Sequence, residues 1–216
     1  MRSIFYSSLA FGGDLEDRSV AHVMGAHLET ERYLASLQSS NSLTYTAIRE
    51  GLYTESFPIY TGWLDPANPP SSNLVTIPHD GLGPGVAWAK REELGEATAN
   101  MLISYVKNPG GFPYVNQTVL LAGPREVSLG DTVDAIGREI GKPLKIRPIS
   151  VDEYTQLPAV KGTFVYHGVD LAGQWTTAWE AMRQGEVAVT SDVLEKWLGR
   201  EPEAFETTIH SLIGGH

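Results

Sequence analysis

The sequence predicts an α/β fold with a helical C-terminal part, and three observations support this class. Residues 1–50 read as strand, helix and strand, which is the order of a βαβ unit in a parallel sheet. Further short apolar runs alternate with helical patterns as far as residue 156. The last third of the chain carries helical patterns. This alternation is typical of parallel sheets that are covered by helices.

The first predicted strand begins almost at the first residue. Ile4–Tyr6 form an apolar and aromatic run that ends at Ser7 and Ser8, before a glycine turn. A strand this apolar is usually buried inside a parallel sheet. We therefore expect a second copy of the chain or a protein partner to cover its edge, and we expect the isolated chain to self-associate.

A helix and a second strand complete the βαβ unit. The segment "SVAHVMGAHLETERYLASL" repeats apolar residues at spacings of three and four, and Ser19 is its expected N-cap. Leu43–Ile48 alternates with β-branched and aromatic residues, which predicts the second strand. Arg49–Gly51 then reads as a turn.

Residues 52–90 are aromatic, Pro-rich and irregular, and long irregular loops in compact domains are often functional. Three short runs predict further strands, at Leu74–Ile77, Val119–Leu121 and Leu144–Ile149.

Two later helices carry terminal signals. Ser128 followed by Asp131 predicts a capped helix N-terminus. Pro202 is expected to open the last helix, with Phe205, Ile209 and Leu212 facing inward.

The composition excludes several classes of function. The 216 residues include 16 basic and 26 acidic ones, and this net charge of −10 argues against nucleic acid and anionic membranes as partners. Without cysteine, disulfides, thiolate catalysis and Cys-type zinc sites are excluded. No apolar run approaches membrane-spanning length, and the start does not resemble a secretion signal. We expect a cytoplasmic protein that binds a small-molecule substrate and has no metal site.

Candidate site residues lie where the predicted strands end. Ligands of open parallel sheets bind beyond the carboxyl ends of the strands, so Ser7 and Ser8 are candidates to hold a carbonyl oxygen or a nicotinamide amide. They could equally cap a turn. Tyr53, in the segment that follows the second strand, faces the same edge and either lines a pocket or is a surface aromatic.

One histidine stands out on the first helix. His27 and Glu31 are four residues apart, so the carboxylate could orient the imidazole for proton transfer. A boundary histidine without a role in chemistry is the alternative. His79-Asp80 is a weaker candidate, for which a plain turn is favoured.

A phosphate-binding turn is missing from the sequence. "GLGPG" (81–85) lacks the G-x-G-x-x-G spacing, and its proline removes an amide donor. No lysine-containing phosphate loop occurs either.

An ordered set of segments resembles the C-terminal half of NmrA-like proteins, which are atypical short-chain dehydrogenase/reductases. The segments are "YSSLAFGG", "AHLETERYL", "YTAIREGLYTES", "WAKREELGEATANML" and "LAGPREVSLGDTVDAIGREIGKPL". The resemblance covers nearly the whole chain and is closest to NADPH-dependent quinone oxidoreductases and fungal NmrA-like proteins. It implies that the N-terminal dinucleotide-binding half, with its glycine-rich turn, is absent.

The resemblance also implies a fold and roles for individual residues. It implies the C-terminal portion of a Rossmann-like parallel sheet (1–50) with a mostly helical substrate-binding lobe (51–216). Ser8 matches a serine near the nicotinamide, with Ser7 beside it, and His27 matches a position that contacts the cofactor. Gly51 and Tyr53 match the loop that borders the nicotinamide and the substrate.

The function implied is an NADP(H)-dependent oxidoreductase that reduces a quinone, an enone or a carbonyl compound, in secondary metabolism for example. Ser8, His27 and Tyr53 are then the expected catalytic residues. Two alternatives remain open. One is a regulator that senses NAD(P), and the other is a cofactor-free isomerase or cyclase with an aromatic pocket.

Overall fold

A computed structural model describes residues 2–39 and 43–214, and within them the chain forms an α/β fold. The predicted fold class is confirmed. The strands are β1 (Arg2–Leu9), β2 (Leu43–Glu50), β3 (Leu74–Ile77), β4 (Gln117–Leu121), β5 (Lys145–Pro148), β6 (Val165–Tyr166) and β7 (Val169–Asp170).

Helices cover the strands and make up most of the C-terminal part. They are α1 (Met24–Ser36), α2 (Phe57–Tyr60), α3 (Arg91–Lys107), α4 (Leu129–Glu139), α5 (Val151–Thr155), α6 (Ala172–Trp175), α7 (Thr177–Arg183), α8 (Val193–Leu198) and α9 (Phe205–Ile213), with 3₁₀ turns at Leu37–Ser39, Thr54–Ser56 and Pro109–Gly111. None of the helices described is long and apolar enough to cross a membrane.

The main sheet is parallel and has the strand order β1-β2-β4. In its register Ser8 lies opposite Arg49, Leu9 opposite Glu50, and Glu50 opposite Leu121. The three strands therefore end together, which places the residues that follow them along one edge of the sheet.

Each face of this sheet is covered by different helices. On one face, Leu34 of α1 packs on Tyr45 and Ala47 of β2. On the other face, α3 and α8 pack on β2 and β4 in a cluster that includes Leu94 and Leu194. Because side chains alternate along a strand, neighbouring residues of β1 and β2 contact opposite layers.

The remaining elements form the C-terminal part around a second parallel pair, β3 with β5. Its core is rich in aromatic residues, and Trp179 and Tyr154 are completely buried there with ring centroids 4.9 Å apart. The predicted strands at 74–77, 119–121 and 144–149 are all present, within two residues of their expected ends. β4 pairs with β2, so the main sheet includes residues beyond residue 50. The proposed division of the chain at residue 50 stays a prediction.

Three local predictions are wrong. Helix α1 begins at Met24, and the Ser19 hydroxyl donates to the Glu186 carboxylate instead of capping the helix. Arg49 and Glu50 belong to β2 and not to a turn, because pairing with β1 and β4 extends the strand. The last helix begins at Phe205, three residues after Pro202, and its Leu212 is exposed.

Candidate functional site

Ser7 and Ser8 lie at the carboxyl end of β1, as the sequence predicts, but they point to opposite faces of the sheet. Ser7 is exposed on the α3 face, and Ser8 is buried on the α1 face. The candidate residues therefore fall into two groups that share the edge where β1 and β2 end.

The group on the α1 face is built around a buried ion pair. Arg49 donates to both carboxylate oxygens of Glu31, over 3.1 Å from Nε and 2.8 Å from Nη2. The Ser8 hydroxyl donates to Glu31 Oε1 over 2.6 Å. Only 2% of the Arg49 side chain and 9% of the Glu31 side chain are exposed. The pair is bidentate and ties α1 to the ends of β1 and β2.

His27 belongs to the same face but has a different partner from the one expected. Its Nδ1 lies 2.9 Å from the Tyr6 hydroxyl, whereas Glu31, the expected orienting group, bonds Ser8 and Arg49. Burial lowers the pKa of His27, and the negative charge of Glu31 partly opposes this. A neutral imidazole that accepts the phenol hydrogen at Nδ1 carries its own hydrogen at Nε2.

The group on the α3 face is built around the Glu50 carboxylate. The Ser7 hydroxyl donates to Oε1 over 2.5 Å, and the Tyr53 hydroxyl donates to Oε2 over 2.6 Å. Burial, together with the bond to Glu50, raises the pKa of Tyr53 to about 12. Tyr53 is half-buried, and whether it lines a pocket or is a surface aromatic stays a prediction.

Gly51 allows the ends of β2 and β4 to approach closely. Its N–H donates to the Leu121 carbonyl over 2.7 Å. A Cβ at this position would lie 3.1 Å from both the Ala122 Cα and the Leu121 carbonyl oxygen. Gly51 therefore allows the hydrogen bond that joins the ends of β2 and β4. Its contact with a cofactor stays a prediction.

The arrangement fixes what the three hydroxyl groups can offer a ligand. Ser7, Ser8 and Tyr53 each donate their only hydroxyl hydrogen to a carboxylate. They therefore present lone pairs, and no hydrogen, to an incoming group. Such a set suits the N–H groups of a carboxamide better than a carbonyl oxygen.

The weaker candidates lie away from this edge. His79 is buried in a turn, as favoured by the sequence, and its Nδ1 accepts the N–H of Gly81 over 2.9 Å. The isomerase or cyclase alternative places a pocket in the aromatic loop region, at Tyr53, Phe57, Tyr60 and Trp63. Of these, Phe57 and Tyr60 are buried in the largest hydrophobic cluster. In the parts of the chain that the structure describes, no three His, Asp or Glu residues are grouped as metal ligands would be.

Sequence reasoning assigned no role to three residues of the site, Tyr6, Arg49 and Glu50. A signal was present for two of them, because charged residues directly after the buried run Tyr45–Ile48 are unusual unless they are paired or functional. Tyr6 gave no such signal, since an aromatic residue in a strand is ordinary.

No protein-family model matches the chain. It is 32% identical over 205 residues to the NmrA-like family domain-containing oxidoreductase flvB of Aspergillus flavus, an alignment that covers 94% of this chain and 59% of that protein. The chain therefore spans about three fifths of the length of this relative.

Two solved reductases share the fold. The NADPH-dependent quinone oxidoreductase QOR2 of Escherichia coli, solved with NADPH, is 21% identical with a TM-score of 0.73, over 98% of this chain and 66% of that one. The triphenylmethane reductase of a Citrobacter species, solved with NADP(H), is 22% identical with a TM-score of 0.64, over 96% and 64%. The resemblance seen in the sequence is confirmed: the chain is similar to an NmrA-like oxidoreductase over three fifths of that protein's length, and it shares a Rossmann-like fold with the two solved reductases.

Proposed function

We propose that this chain provides the nicotinamide and substrate side of an NADPH-dependent reductase. The bound cofactor would supply a hydride to a polarised double bond, such as that of a quinone, an enone or a carbonyl compound. The observation that carries the proposal is that polar side chains on both faces of the sheet meet at the edge where β1 and β2 end, which is where ligands of open α/β sheets bind. The oxidoreductase relative and the NADPH-bound solved reductases support it.

The hydrogen-bond acceptors at this edge fit the amide end of a nicotinamide. Ser8 offers a lone pair to a carboxamide N–H on the α1 face, because its hydroxyl hydrogen is already donated to Glu31, and Ser7 offers one on the α3 face for the same reason. We assign Tyr53 to the wall of the substrate pocket, as the resemblance implies. The pyrophosphate has no glycine-rich turn in this sequence, so the fit is to the nicotinamide end alone.

His27 is the proposed proton source or cofactor-positioning residue. It is half-buried on the α1 face, and its Nε2 hydrogen remains after Nδ1 is bonded to Tyr6. Reduction of a neutral carbonyl leaves an alkoxide that must be protonated, and the three neighbouring hydroxyl groups have no hydrogen to give. The imidazole is the remaining titratable donor that was predicted for this site.

The decisive experiment is an NADPH titration of the 216-residue chain, read out by energy transfer from its five tryptophans. We expect saturable binding with a Kd of about 10 µM to 1 mM, weakened roughly tenfold by Ser8→Ala through the lost carboxamide contact. Ser211→Ala, on the exposed side of α9, is the matched control and should bind as the unmodified chain does.

Two outcomes would contradict this proposal. If the chain is folded but does not bind NADPH measurably, it has no cofactor site. Binding without any turnover of quinones, enones or carbonyl compounds would instead favour the NAD(P)-sensing regulator that the sequence left open.

A further inference from the structure

Two carboxylates lie next to the end of β2, and they differ in how their charge is compensated. Glu31 is neutralised by the bidentate contact with Arg49. Glu50 receives only neutral donors, the hydroxyl groups of Ser7 and Tyr53, and forms no ion pair with any side chain that the structure describes. Strand alternation separates the two, because Arg49 points to the α1 face and Glu50 to the α3 face.

The charge of Glu50 is held in place but not balanced. Its two hydrogen bonds fix both oxygens, and the side chain is half-buried. Besides Glu50, the charges of Arg91 and Glu55 act on the pKa of the neighbouring Tyr53 phenol, Arg91 lowering it and Glu55 raising it. Electrostatic attraction is several times stronger at a partly buried site than in bulk water, so a fixed carboxylate of this kind favours a cationic ligand.

The hydroxyl groups next to Glu50 also favour a cationic substrate. Ser7 and Tyr53 have no hydrogen available for a developing alkoxide on this face of the sheet, and His27, the proposed proton source, lies on the opposite face. A hydride acceptor that is already positive needs no such donor, because addition of hydride leaves it neutral.

We propose that the hydride acceptor of this site is a cation with a C=N⁺ bond, an iminium ion, and that Glu50 is its counter-ion. The inference rests on the proposed function and narrows its substrate class. The iminium carbon accepts the hydride and forms a C–H bond, while the π electron pair of C=N⁺ becomes the lone pair of a neutral amine. No proton moves, and the positive charge passes to the nicotinamide, so the net charge beside Glu50 does not change.

The test compares a cation with a neutral molecule of the same shape. N-methylquinolinium and quinoline are titrated into the full chain in mildly alkaline buffer, where quinoline is uncharged, and tryptophan fluorescence is the readout. We expect the cation to bind at least about tenfold more tightly. Glu50→Gln, which removes the charge and keeps one acceptor oxygen for Ser7 or Tyr53, should reduce this preference to about twofold or less.

Two further variants separate the charge of Glu50 from other effects. Glu50→Asp keeps the carboxylate and should keep the preference for the cation. Glu29→Gln removes the same charge from the exposed side of α1 and should change nothing. Circular dichroism and thermal unfolding of each variant establish that it is folded.

The inference is overturned if both probes bind equally, if neither binds, or if Glu50→Gln retains the preference. NADPH binding, measured on the same samples, reports separately on the proposed function. If the chain does not bind NADPH but still prefers the cation, the proposed function is contradicted and the cation-binding site is retained.

Discussion

At the scale of single residues, Arg49 decides how β1, α1 and β2 are joined. Its guanidinium is buried, makes two bonds to Glu31, and has its third nitrogen, Nη1, without a partner among the described residues. Gly12 packs against this nitrogen, and a Cβ there would lie 3.2 Å from it. A buried ion pair adds little compared with an apolar pair of the same volume, but removing one partner leaves a buried charge uncompensated.

We therefore expect Arg49→Met to lower the free energy of unfolding by about 3–5 kcal/mol, because Glu31 would lose its counter-ion. Urea unfolding followed by circular dichroism measures the change. The double variant Arg49→Met with Glu31→Met should regain most of the loss. Arg147→Met, which removes an exposed ion pair with Glu153, is the control and should cost about 1 kcal/mol or less. A similar effect from both arginine variants would show that the buried pair has no special role.

At the scale of elements, two helix N-termini show when a serine in the sequence is sufficient to predict the N-cap. Ser128 caps α4 as predicted, accepting the Asp131 N–H over 3.0 Å and donating to its carboxylate over 2.7 Å. Ser19 lies in an equally suitable sequence, but Glu186, from the segment after α7, bonds its hydroxyl and the N–H of Val20. A distant carboxylate thus replaced the local cap and moved the start of α1 to Met24.

Ser128→Ala should lower the free energy of unfolding by roughly 1 kcal/mol, since the first turn of α4 loses its side-chain acceptor. Chemical denaturation provides the measurement. Ser36→Ala, at the exposed last residue of α1, makes the same change without removing an N-cap and should cost less. Equal losses in the two variants would mean that the cap of α4 does not contribute.

At the scale of the whole molecule, β1 pairs with β2 on one side only within the described residues. Its opposite edge presents backbone donors and acceptors that no described strand pairs with, and the Ile4 side chain of this strand is 37% exposed. Such an edge is a template for pairing with another chain. This chain covers 66% of the length of the quinone oxidoreductase that shares the fold.

We expect the isolated chain to self-associate through this edge, and size-exclusion chromatography with light scattering tests it. Ile4→Lys should shift the distribution towards monomer, because a charged side chain on an edge strand opposes pairing. Tyr33→Lys, on the exposed side of α1, is the matched control and should leave association unchanged. A monomer at every concentration, for the unmodified chain, would contradict the expectation.

By itself, the sequence determined the order of strands and helices, the serines at the end of β1, and the cap of α4. These features follow from the spacing of apolar residues and from short-range capping, which involve residues only a few positions apart. The resemblance to NmrA-like proteins rests on the same ordered segments, and it extended the prediction to candidate residues.

Only the tertiary structure decided the contacts at the site. Arg49 and Glu31 are 18 positions apart, and Ser7 and Glu50 are 43 apart. Which carboxylate each hydroxyl meets depends on the register of β1 on β2, since a shift of one residue would exchange the two faces. That register places Tyr45 and Ala47 against α1 and Ile48 against α3, and these contacts join residues that are far apart in the sequence.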